Sequence, residues 1–186
     1  MSVTHKGARR ALAAAGPLAL WLGALAFAAA GGRAGALVLA LSAVPATAIV
    51  ILDHGGRTTV AVVAVLTAAA WGSASSVVAQ RWPWDKLEHL LLALCFCRWL
   101  GDRPETVNAR WRMVAAAAVG VTMACAVAWE IVEWLTDRVA GTHMSPSAAD
   151  TLTDLLAGLV GALAGSVRSR PSHRPTADAV TSPQKG

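Results

Sequence analysis

Long apolar blocks separated by shorter polar segments dominate the chain. Each block is close to the ~20 residues that an α-helix needs to cross the hydrocarbon core of a bilayer. The blocks span residues 11–30, 34–52, 60–79, 83–100, 111–136 and 150–167. The pattern therefore predicts an all-α fold, a polytopic transmembrane helical bundle with about six spans.

Three of these blocks carry acidic groups where a membrane helix usually has none, and the sixth begins with DTLTD. The fourth begins with DKLEH, which makes it the shortest block in purely apolar terms. The fifth contains an uncharged run from Met113 to Val127, followed by the glutamates of AWEIVEW. Ionisable groups inside a membrane are costly and indicate a function unless they face water. Glu130 and Glu133 are therefore the first candidates for a functional site.

The composition supports a membrane protein and argues against nucleic acid as a partner. Of the 186 residues, 55% are hydrophobic and only 15% are charged, against about 25% charged in a typical soluble domain. The richness in Ala, Gly and Arg and the absence of Tyr are typical of a GC-rich bacterial genome. The net charge of +5 resides in short loops and tails, where membrane topology explains it. The lipid bilayer is the expected environment.

The distribution of Lys and Arg predicts the orientation. Of the 16 basic residues, Arg33, Arg81, Lys86 and Arg138 fall on one side of the predicted spans and the remaining twelve on the other. Cytoplasmic loops carry the excess of positive charge. We therefore expect a multi-pass protein of the bacterial inner or plasma membrane with both termini cytoplasmic.

The domain organisation follows from the same pattern. Residues 1–168 are predicted to form one six-helix transmembrane domain, whose motif-bearing core is 82–166. Residues 169–186 lack an apolar pattern and are predicted to be a disordered cytoplasmic tail. The N-terminal block resembles a signal peptide, but its apolar run is longer than a typical signal core and five spans follow, so we expect an uncleaved first helix.

Three helix ends that the topology places on the outer face carry acidic and histidine side chains. Within each helix these residues recur at spacings of three or four, which puts them on one face. They are Asp85 and His89 on the fourth helix, Glu130, Glu133 and Asp137 on the fifth, and Asp150 and Asp154 on the sixth. The face of the sixth helix continues as a stripe of small residues, Gly158, Gly161 and Gly165. Such stripes allow close helix approach, so we predict that this face is packed against other helices.

The convergence of these groups predicts a metal site. Two carboxylates about 6 Å apart repel each other by roughly 3 kcal/mol at an effective dielectric of about 20. Lys86 is the only nearby cation, and its position beside Asp85 predicts that it points elsewhere on the helix. Protonation of some carboxylates, or the binding of cations, would relieve this repulsion. Carboxylates with a histidine suit a divalent ion such as zinc, manganese, iron or magnesium.

We assign provisional roles to the six residues of the predicted site. The predicted metal ligands are Asp85, His89, Glu130 and Asp154. The predicted catalytic residues are Glu133 and Asp150, each as a general base or a further ligand. Simpler interpretations also exist, because Asp85 and Asp150 could cap helices, and Glu133 and Asp137 could be solvated at the interface.

Other polar and aromatic residues are weaker candidates for the functional site. Glu88 lies on another face from Asp85 and is predicted to be a surface residue or a partner of Lys86 or Arg81. The tryptophans at the outer ends fit an aromatic belt, or else a wall for a lipid substrate; they are Trp82, Trp84, Trp129 and Trp134. The cysteines are interpreted as small buried apolar residues; they are Cys95, Cys97 and Cys125. Asp53 and His54 fit a turn, and His143 is a possible further ligand or proton carrier.

The three motifs together resemble a known group. WDKLEHLLLAL, WEIVEW and DTLTDLLAGLVGALAG, within about residues 82–166, are similar to the YjdF-like inner-membrane proteins and, more distantly, to the VanZ-like family. The second motif, Glu130-x-x-Glu133 followed by Trp134, is nearer the YjdF-like form. The Gln and Arg of the VanZ-like form are missing, which argues against a glycopeptide-resistance role. The resemblance implies a helical membrane fold and the three-motif site.

Three classes of function fit this sequence. The first is metal-dependent hydrolysis or transfer on a lipid-linked or envelope substrate. The second is a proton- or cation-coupled transporter, and the third is a structural or partner-binding membrane protein whose acid cluster locks three helices. A transporter needs a polar path to the cytoplasm, and the inner halves of the last three helices offer few polar groups; they are Cys95, Cys97, Thr122 and Ser166. This observation disfavours transport modestly. The preferred hypothesis is an acidic, metal-binding site that opens to the extracytoplasmic face, and the sequence leaves open whether the protein is an enzyme.

Overall fold

The computed structural model describes residues 3–52, 56–75, 82–102, 111–141 and 147–167, and these form six α-helices with no strand among them. The helices are α1 (Val3–Ala29), α2 (Arg33–Leu52), α3 (Arg57–Ala74), α4 (Trp82–Gly101), α5 (Trp111–Ala140) and α6 (Ala148–Ser166). The predicted all-α bundle is confirmed. The predicted disordered tail, the turn at Asp53 and His54, and His143 lie outside the described residues.

Five of the six helices are long and apolar enough to cross a membrane, and α4 is the exception. Helix α4 carries Asp85, Lys86, Glu88 and Arg98 among its 20 residues. These groups are accommodated because α4 lies inside the bundle, in contact with α3, α5 and α6. The molecule is thus a polytopic helical membrane protein in which the polar helix α4 packs against three neighbouring helices.

The apolar core is divided between the two halves of the chain, and α4 joins them. Leu20, Leu39 and Leu66 from α1, α2 and α3 belong to one buried cluster. Trp99 of α4 packs with residues of α2 and α3 in a second cluster, where its indole N–H donates to the Thr59 hydroxyl at 3.1 Å. Cys97 of α4 packs with residues of α5 and α6 in the third. Helix α4 therefore fixes the last two helices to the first three.

The backbones of α4 and α6 approach each other closely along the glycine stripe. Gly158, Gly161 and Gly165 are buried, as the sequence predicts. A Cβ added at Gly161 would collide with the carbonyl oxygen of Leu90, and one at Gly165 with that of Leu94. Small residues are therefore required at both positions, and the acidic face of α6 is turned towards α4 rather than towards lipid.

The prediction that all three cysteines are buried is wrong for Cys125, which lies on α5. Cys97 is buried and Cys95 half-buried, but Cys125 is exposed. It lies on the same face of α5 as the exposed Val121, one turn earlier. An apolar residue in a membrane bundle can face lipid as readily as the core, so hydrophobicity alone does not predict burial there.

Because α4 and α6 pack closely, adding one methyl group should have different effects on stability at Gly161 and at Gly158. Gly161→Ala should lower the free energy of unfolding by about 1–3 kcal/mol, because the new Cβ meets the Leu90 backbone. Gly158→Ala is the matched control, since its Cβ would meet only the Ala126 methyl at 4.0 Å. Titration with SDS in mixed micelles measures both. Equal stability of the two variants would contradict the packing described.

Candidate functional site

The start of α4, the end of α5 and the start of α6 meet at one end of the bundle. Ser147 caps α6, and its side chain accepts a hydrogen bond from the Asp150 backbone N–H at 3.1 Å. Asp150 therefore does not cap the helix as one interpretation of the sequence suggests. Its carboxylate lies in the first turn of α6, as that of Asp85 does in α4, where the helix dipole favours negative charge.

Lys86 lies at the centre of the aspartates. Its ammonium group donates to Asp150 Oδ1 and Asp154 Oδ1 at 2.6 Å each, and to Asp85 Oδ2 at 2.9 Å. The expectation that Lys86 points elsewhere is wrong. Its flexible four-carbon stem lets the ammonium turn back towards Asp85 and across to α6. An ammonium has three N–H donors, and each one has a carboxylate, so Lys86 joins α4 to α6. We call Asp85, Lys86, Asp150 and Asp154 the aspartate half of the site.

Glu130 and Glu133 on α5 form the other part, which we call the glutamate half. Both residues are buried, each with 6% of its surface exposed. Glu133 Oε1 accepts a hydrogen bond of 2.7 Å from the indole N–H of Trp129, one turn earlier on the same helix. Among the described residues, no Lys or Arg forms an ion pair with either glutamate. In the described part of the chain, the glutamate half therefore has no counterpart of the ammonium that bonds the three aspartates.

Glu130 has the least satisfied side chain of the site. Thr151 of α6 lies near enough to interact with it. Neither carboxylate oxygen, however, has a hydrogen-bond partner of good geometry among the described groups. A buried carboxylate in this condition is strongly destabilising. This residue is the point of the site that most requires a further partner.

His89 lies between the two halves. Its Nε2 atom is 3.8 Å from Asp85 Oδ1 and 3.9 Å from Asp154 Oδ1, and its Nδ1 atom is 3.9 Å from Glu130 Oε1. These separations are longer than hydrogen bonds. The imidazole thus presents one nitrogen to each half, and a ligand or ion could enter between it and the carboxylates.

The site becomes more enclosed with depth. The side chain of Asp85 is 28% exposed, whereas that of Asp154, one turn further into the bundle, is 3% exposed. Aqueous access is therefore from the helix ends, and the deepest carboxylates are those of Asp154 and the glutamate half.

Two sets of side chains in the site could hold a metal ion. One is Asp85, His89 and Asp154, and the other is His89, Glu130 and Glu133; within each set the ligand atoms lie within 4.8 Å of one another. Ligands about 2.1 Å from a tetrahedral zinc ion are about 3.4 Å apart, so either set needs only a small contraction. In the first set Asp154 Oδ1 already binds Lys86. An ion can enter the second set without displacing a cation.

The structure groups the predicted site residues differently from the sequence prediction. All six predicted residues lie together at this end of the bundle. The sequence, however, grouped Glu130 with Asp85 and Asp154 as ligands, whereas the structure places Glu130 with Glu133. Asp137, on the same predicted face, is in neither set. The sequence assigns Trp129 to an aromatic belt or to a wall for a lipid substrate, although its spacing of four residues before Glu133 is a signal that an indole donor lies beside that carboxylate.

Glu88 belongs to a different interface. It is neither a surface residue nor a partner of Lys86, because its side chain extends towards α3. A Cβ added at Gly72 would be 2.8 Å from Glu88 Oε1 and 2.9 Å from the indole nitrogen of Trp84. The sequence correctly separates Glu88 from the Asp85 face, but α4 has packed neighbours on that side as well.

The aspartate half predicts a strong dependence of stability on Lys86. Lys86→Met should lower the free energy of unfolding by on the order of 3 kcal/mol, because it leaves three aspartates without their cation. Adding Asp154→Asn to this variant should recover part of the loss, since it removes one of the repelling charges. Lys86→Arg, which keeps the charge, is the control. SDS titration measures the series, and a Lys86→Met variant as stable as the native protein would contradict the role assigned to this lysine.

Comparison with known proteins agrees with this architecture. The profile of a family described as Predicted membrane protein (DUF2238) matches residues 2–173, nearly the whole chain. No curated protein and no solved structure shows significant similarity to the chain. The match is consistent with the resemblance to YjdF-like membrane proteins that the three motifs indicate. The protein is thus a member of the DUF2238 family of predicted membrane proteins.

Proposed function

We propose that the glutamate half binds a divalent metal ion through His89 Nδ1 and the carboxylates of Glu130 and Glu133. The observation that carries this proposal is the state of Glu130, which is 6% exposed and receives no well-formed hydrogen bond at either oxygen from the part of the chain that the structure describes. The imidazole nitrogen that faces it at 3.9 Å is a good ligand for a transition metal.

A metal ion satisfies this arrangement better than protons do. Protonation removes the charge of Glu130, but the neutral acid still has a buried O–H donor and a carbonyl acceptor that need partners. A divalent ion neutralises both glutamates and bonds directly to their oxygens. The combination of one imidazole with two carboxylates suits zinc, manganese or iron better than magnesium, which prefers oxygen ligands and bound water.

The geometry also argues against the rival functions. A cation-coupled transporter needs a polar path beyond the site, but α4 and α6 are in backbone contact at Gly161 and Gly165 directly below it. A purely structural acid cluster is a good description of the aspartate half, where Lys86 satisfies three carboxylates. It does not account for the glutamate half, where both carboxylates are buried and no described Lys or Arg pairs with them.

The reaction we assign to the site is metal-assisted hydrolysis or transfer on a lipid-linked or envelope substrate at the extracytoplasmic face. A bound divalent ion supplies Lewis acidity and activates water. In hydrolysis of an ester, the water oxygen would bond to the electrophilic centre as the bond from that centre to the leaving oxygen breaks, and a neighbouring carboxylate would take the proton from the water and pass it to the leaving oxygen. Asp150 is the candidate acceptor, because its carboxylate is partly exposed at the open end of the site. The exposed Trp84 and Trp134 at the same end suit a lipid substrate.

Metal analysis tests the proposal directly. The protein purified in detergent and exposed to zinc or manganese should retain about one ion per chain after removal of excess metal. Glu130→Gln and Glu133→Gln should each reduce retention at least about tenfold, because each removes a charged ligand. Asp102→Asn is the matched control, since Asp102 pairs with Arg98 far from the site. Retention that is equal in all four proteins would refute a metal at the glutamate half.

The stability of Glu130→Gln separates a metal site from a structural acid lock. Without metal, this variant should be at least as stable as the native protein, because an unpaired buried charge has been removed. Added metal should raise the thermal midpoint of the native protein but not that of the variant. A metal-free variant markedly less stable than the native protein would instead support the structural role.

Trp129 is predicted to position Glu133. Trp129→Phe keeps an aromatic ring but removes the 2.7 Å hydrogen bond to Glu133 Oε1. Loss of such a partner of a metal ligand typically weakens metal affinity about 10- to 100-fold. Trp134→Phe on the exposed face of the same helix is the control and should bind metal as the native protein does. Equal affinity in both variants, measured by competition with a chelating dye, would remove Trp129 from the site.

A further inference from the structure

Helix α4 is the least suited of the six described helices to cross a membrane on its own. It alone is not apolar enough for a membrane span. Its longest run without a charged side chain or a histidine, residues 90–97, has eight residues. At about 1.5 Å per residue, this run covers about 12 Å of a hydrocarbon core about 30 Å thick. The position of α4 in the membrane therefore depends on its neighbours.

Helix α6 supplies partners for the basic side chains near both ends of α4. At one end, the Lys86 ammonium donates to Asp150 Oδ1 and Asp154 Oδ1 at 2.6 Å each. At the other end, Arg98 Nη1 donates to the Val167 carbonyl oxygen at 2.7 Å, directly after the last residue of α6. Both basic side chains of α4 are therefore bonded to α6 or to its end.

The two helices are also in contact between these attachments. Gly161 and Gly165 let α6 approach the carbonyl groups of Leu90 and Leu94 so closely that an added Cβ would collide with them. Both leucines belong to the short apolar run of α4. Close packing and interhelical hydrogen bonds are the interactions that hold helices together in a membrane. Helix α6 provides both kinds along the length of α4.

The other neighbours of α4 contribute weaker polar contacts. Among the described residues, Lys86 forms ion pairs only within α4 and with α6. Helix α5 presents Glu130 to His89 at 3.9 Å, which is longer than a hydrogen bond. Helix α3 contributes an uncharged group, the Thr59 hydroxyl, which accepts a hydrogen bond from Trp99. The charges that complement the Lys86 ammonium from another helix are those of α6.

The order of the chain separates α4 from this partner. Helix α4 ends at Gly101 and α6 begins at Ala148, with the whole of α5 between them. Because a chain is synthesised from its amino end at about 5–20 residues per second, α4 is made before any part of α6. Helix α6 is itself apolar enough to cross a membrane. The helix that can insert alone is thus made after the helix that needs it.

We propose that α4 takes its membrane-spanning position only once α6 has entered the membrane, and that the bonds of Lys86 to Asp150 and Asp154 hold it there. Insertion of α4 and assembly of the aspartate half are then one event, so a chain whose α6 is misplaced has no acidic site. The proposal is independent of the proposed metal site, because it rests on the aspartate half and on the contact between α4 and α6.

The native cysteines of the full chain report the position of α4. Cys95 and Cys97 lie within its apolar run, and Cys97 is fully buried. The thiolate that reacts with a maleimide is disfavoured in apolar surroundings. A membrane-impermeant maleimide, applied to membranes opened to expose both surfaces, should therefore label these two cysteines only in chains whose α4 lies outside the membrane. Cys125 is the internal control, because α5 is apolar enough to span without α4.

The paired aspartates are the first variant to measure, with a chelator present and no added metal. Asp150→Asn combined with Asp154→Asn should raise the labelling of the two α4 cysteines at least about fivefold, because Lys86 then lacks its charged partners on α6. Adding Lys86→Met should lower the labelling again, since it removes the unpaired ammonium. Glu130→Gln combined with Glu133→Gln is the matched control. It also removes two buried acids at this end, but neither pairs with Lys86, so its labelling should equal that of the native protein.

Several outcomes would overturn the proposal. One is labelling of the aspartate variant equal to that of the native protein. Another is equal labelling of the aspartate and glutamate variants, which would indicate a general loosening of this end. Labelling that stays high after Lys86→Met is added would remove the Lys86 bonds from the account. Loss of metal binding in the glutamate variant, with α4 still protected, would leave the proposal intact.

A second pair of variants decides if the aspartate variant does not accumulate in the membrane. Gly161→Ala should raise the labelling of the α4 cysteines above that of Gly158→Ala, because only the first substitution disturbs the contact with the Leu90 backbone. Equal labelling of these two variants would show that α4 keeps its place without close contact to α6.

Discussion

The ion cluster of Lys86 with three aspartates sets the geometry of the site end of the bundle. It joins the first turns of α4 and α6, two helices that run in the same direction. Their amino ends carry partial positive charge, so Asp85 and Asp150 are stabilised by the helix dipoles as well as by the ammonium. Below the cluster, Gly161 and Gly165 allow the two backbones to touch. The ion cluster and the glycines together fix how α4 and α6 are aligned.

With α4 and α6 aligned in this way, the acidic groups of α5 have a different electrostatic environment from the aspartates. Glu130 and Glu133 are buried against the α4–α6 pair, with no lysine or arginine paired to them among the described residues. No helix amino end supports them within α5, since both lie towards its carboxyl end. The imidazole of His89 faces both halves of the site, with Nε2 towards Asp85 and Nδ1 towards Glu130. One half of the site therefore has an internal cation bonded to each of its carboxylates, whereas the other has no such cation among the described residues, and this asymmetry underlies the proposed metal site.

The sequence predicts much of this architecture because membrane helices obey simple rules. Block length and hydropathy identify the helices, the alternation of spans brings the three acidic motifs to one end, and spacings of three and four identify their shared faces. The Gly158–Gly161–Gly165 stripe correctly identifies the packed face of α6.

The groupings within the site depend on information that residue spacing does not contain. Lys86 was expected to point away, since neighbours in sequence leave a helix in different directions, but a long side chain can turn back to the adjacent face. Glu88 was assigned to the surface because periodicity does not show how many sides of α4 have neighbours. The pairing of Glu130 with Glu133 rather than Asp154 depends on the rotation of α5 against α4 and α6, which only the tertiary structure defines.

The location of a bound ion tests the central claim most directly. Anomalous diffraction from crystals of the manganese- or zinc-loaded protein would locate the ion. The account predicts an anomalous peak between His89 Nδ1 and the carboxylates of Glu130 and Glu133, with Lys86 still bonded to Asp150 and Asp154. A peak among Asp85, His89 and Asp154 with Lys86 displaced, or no peak at this end of the bundle, would contradict the division of the site into a half with an internal cation and a half that binds a metal ion.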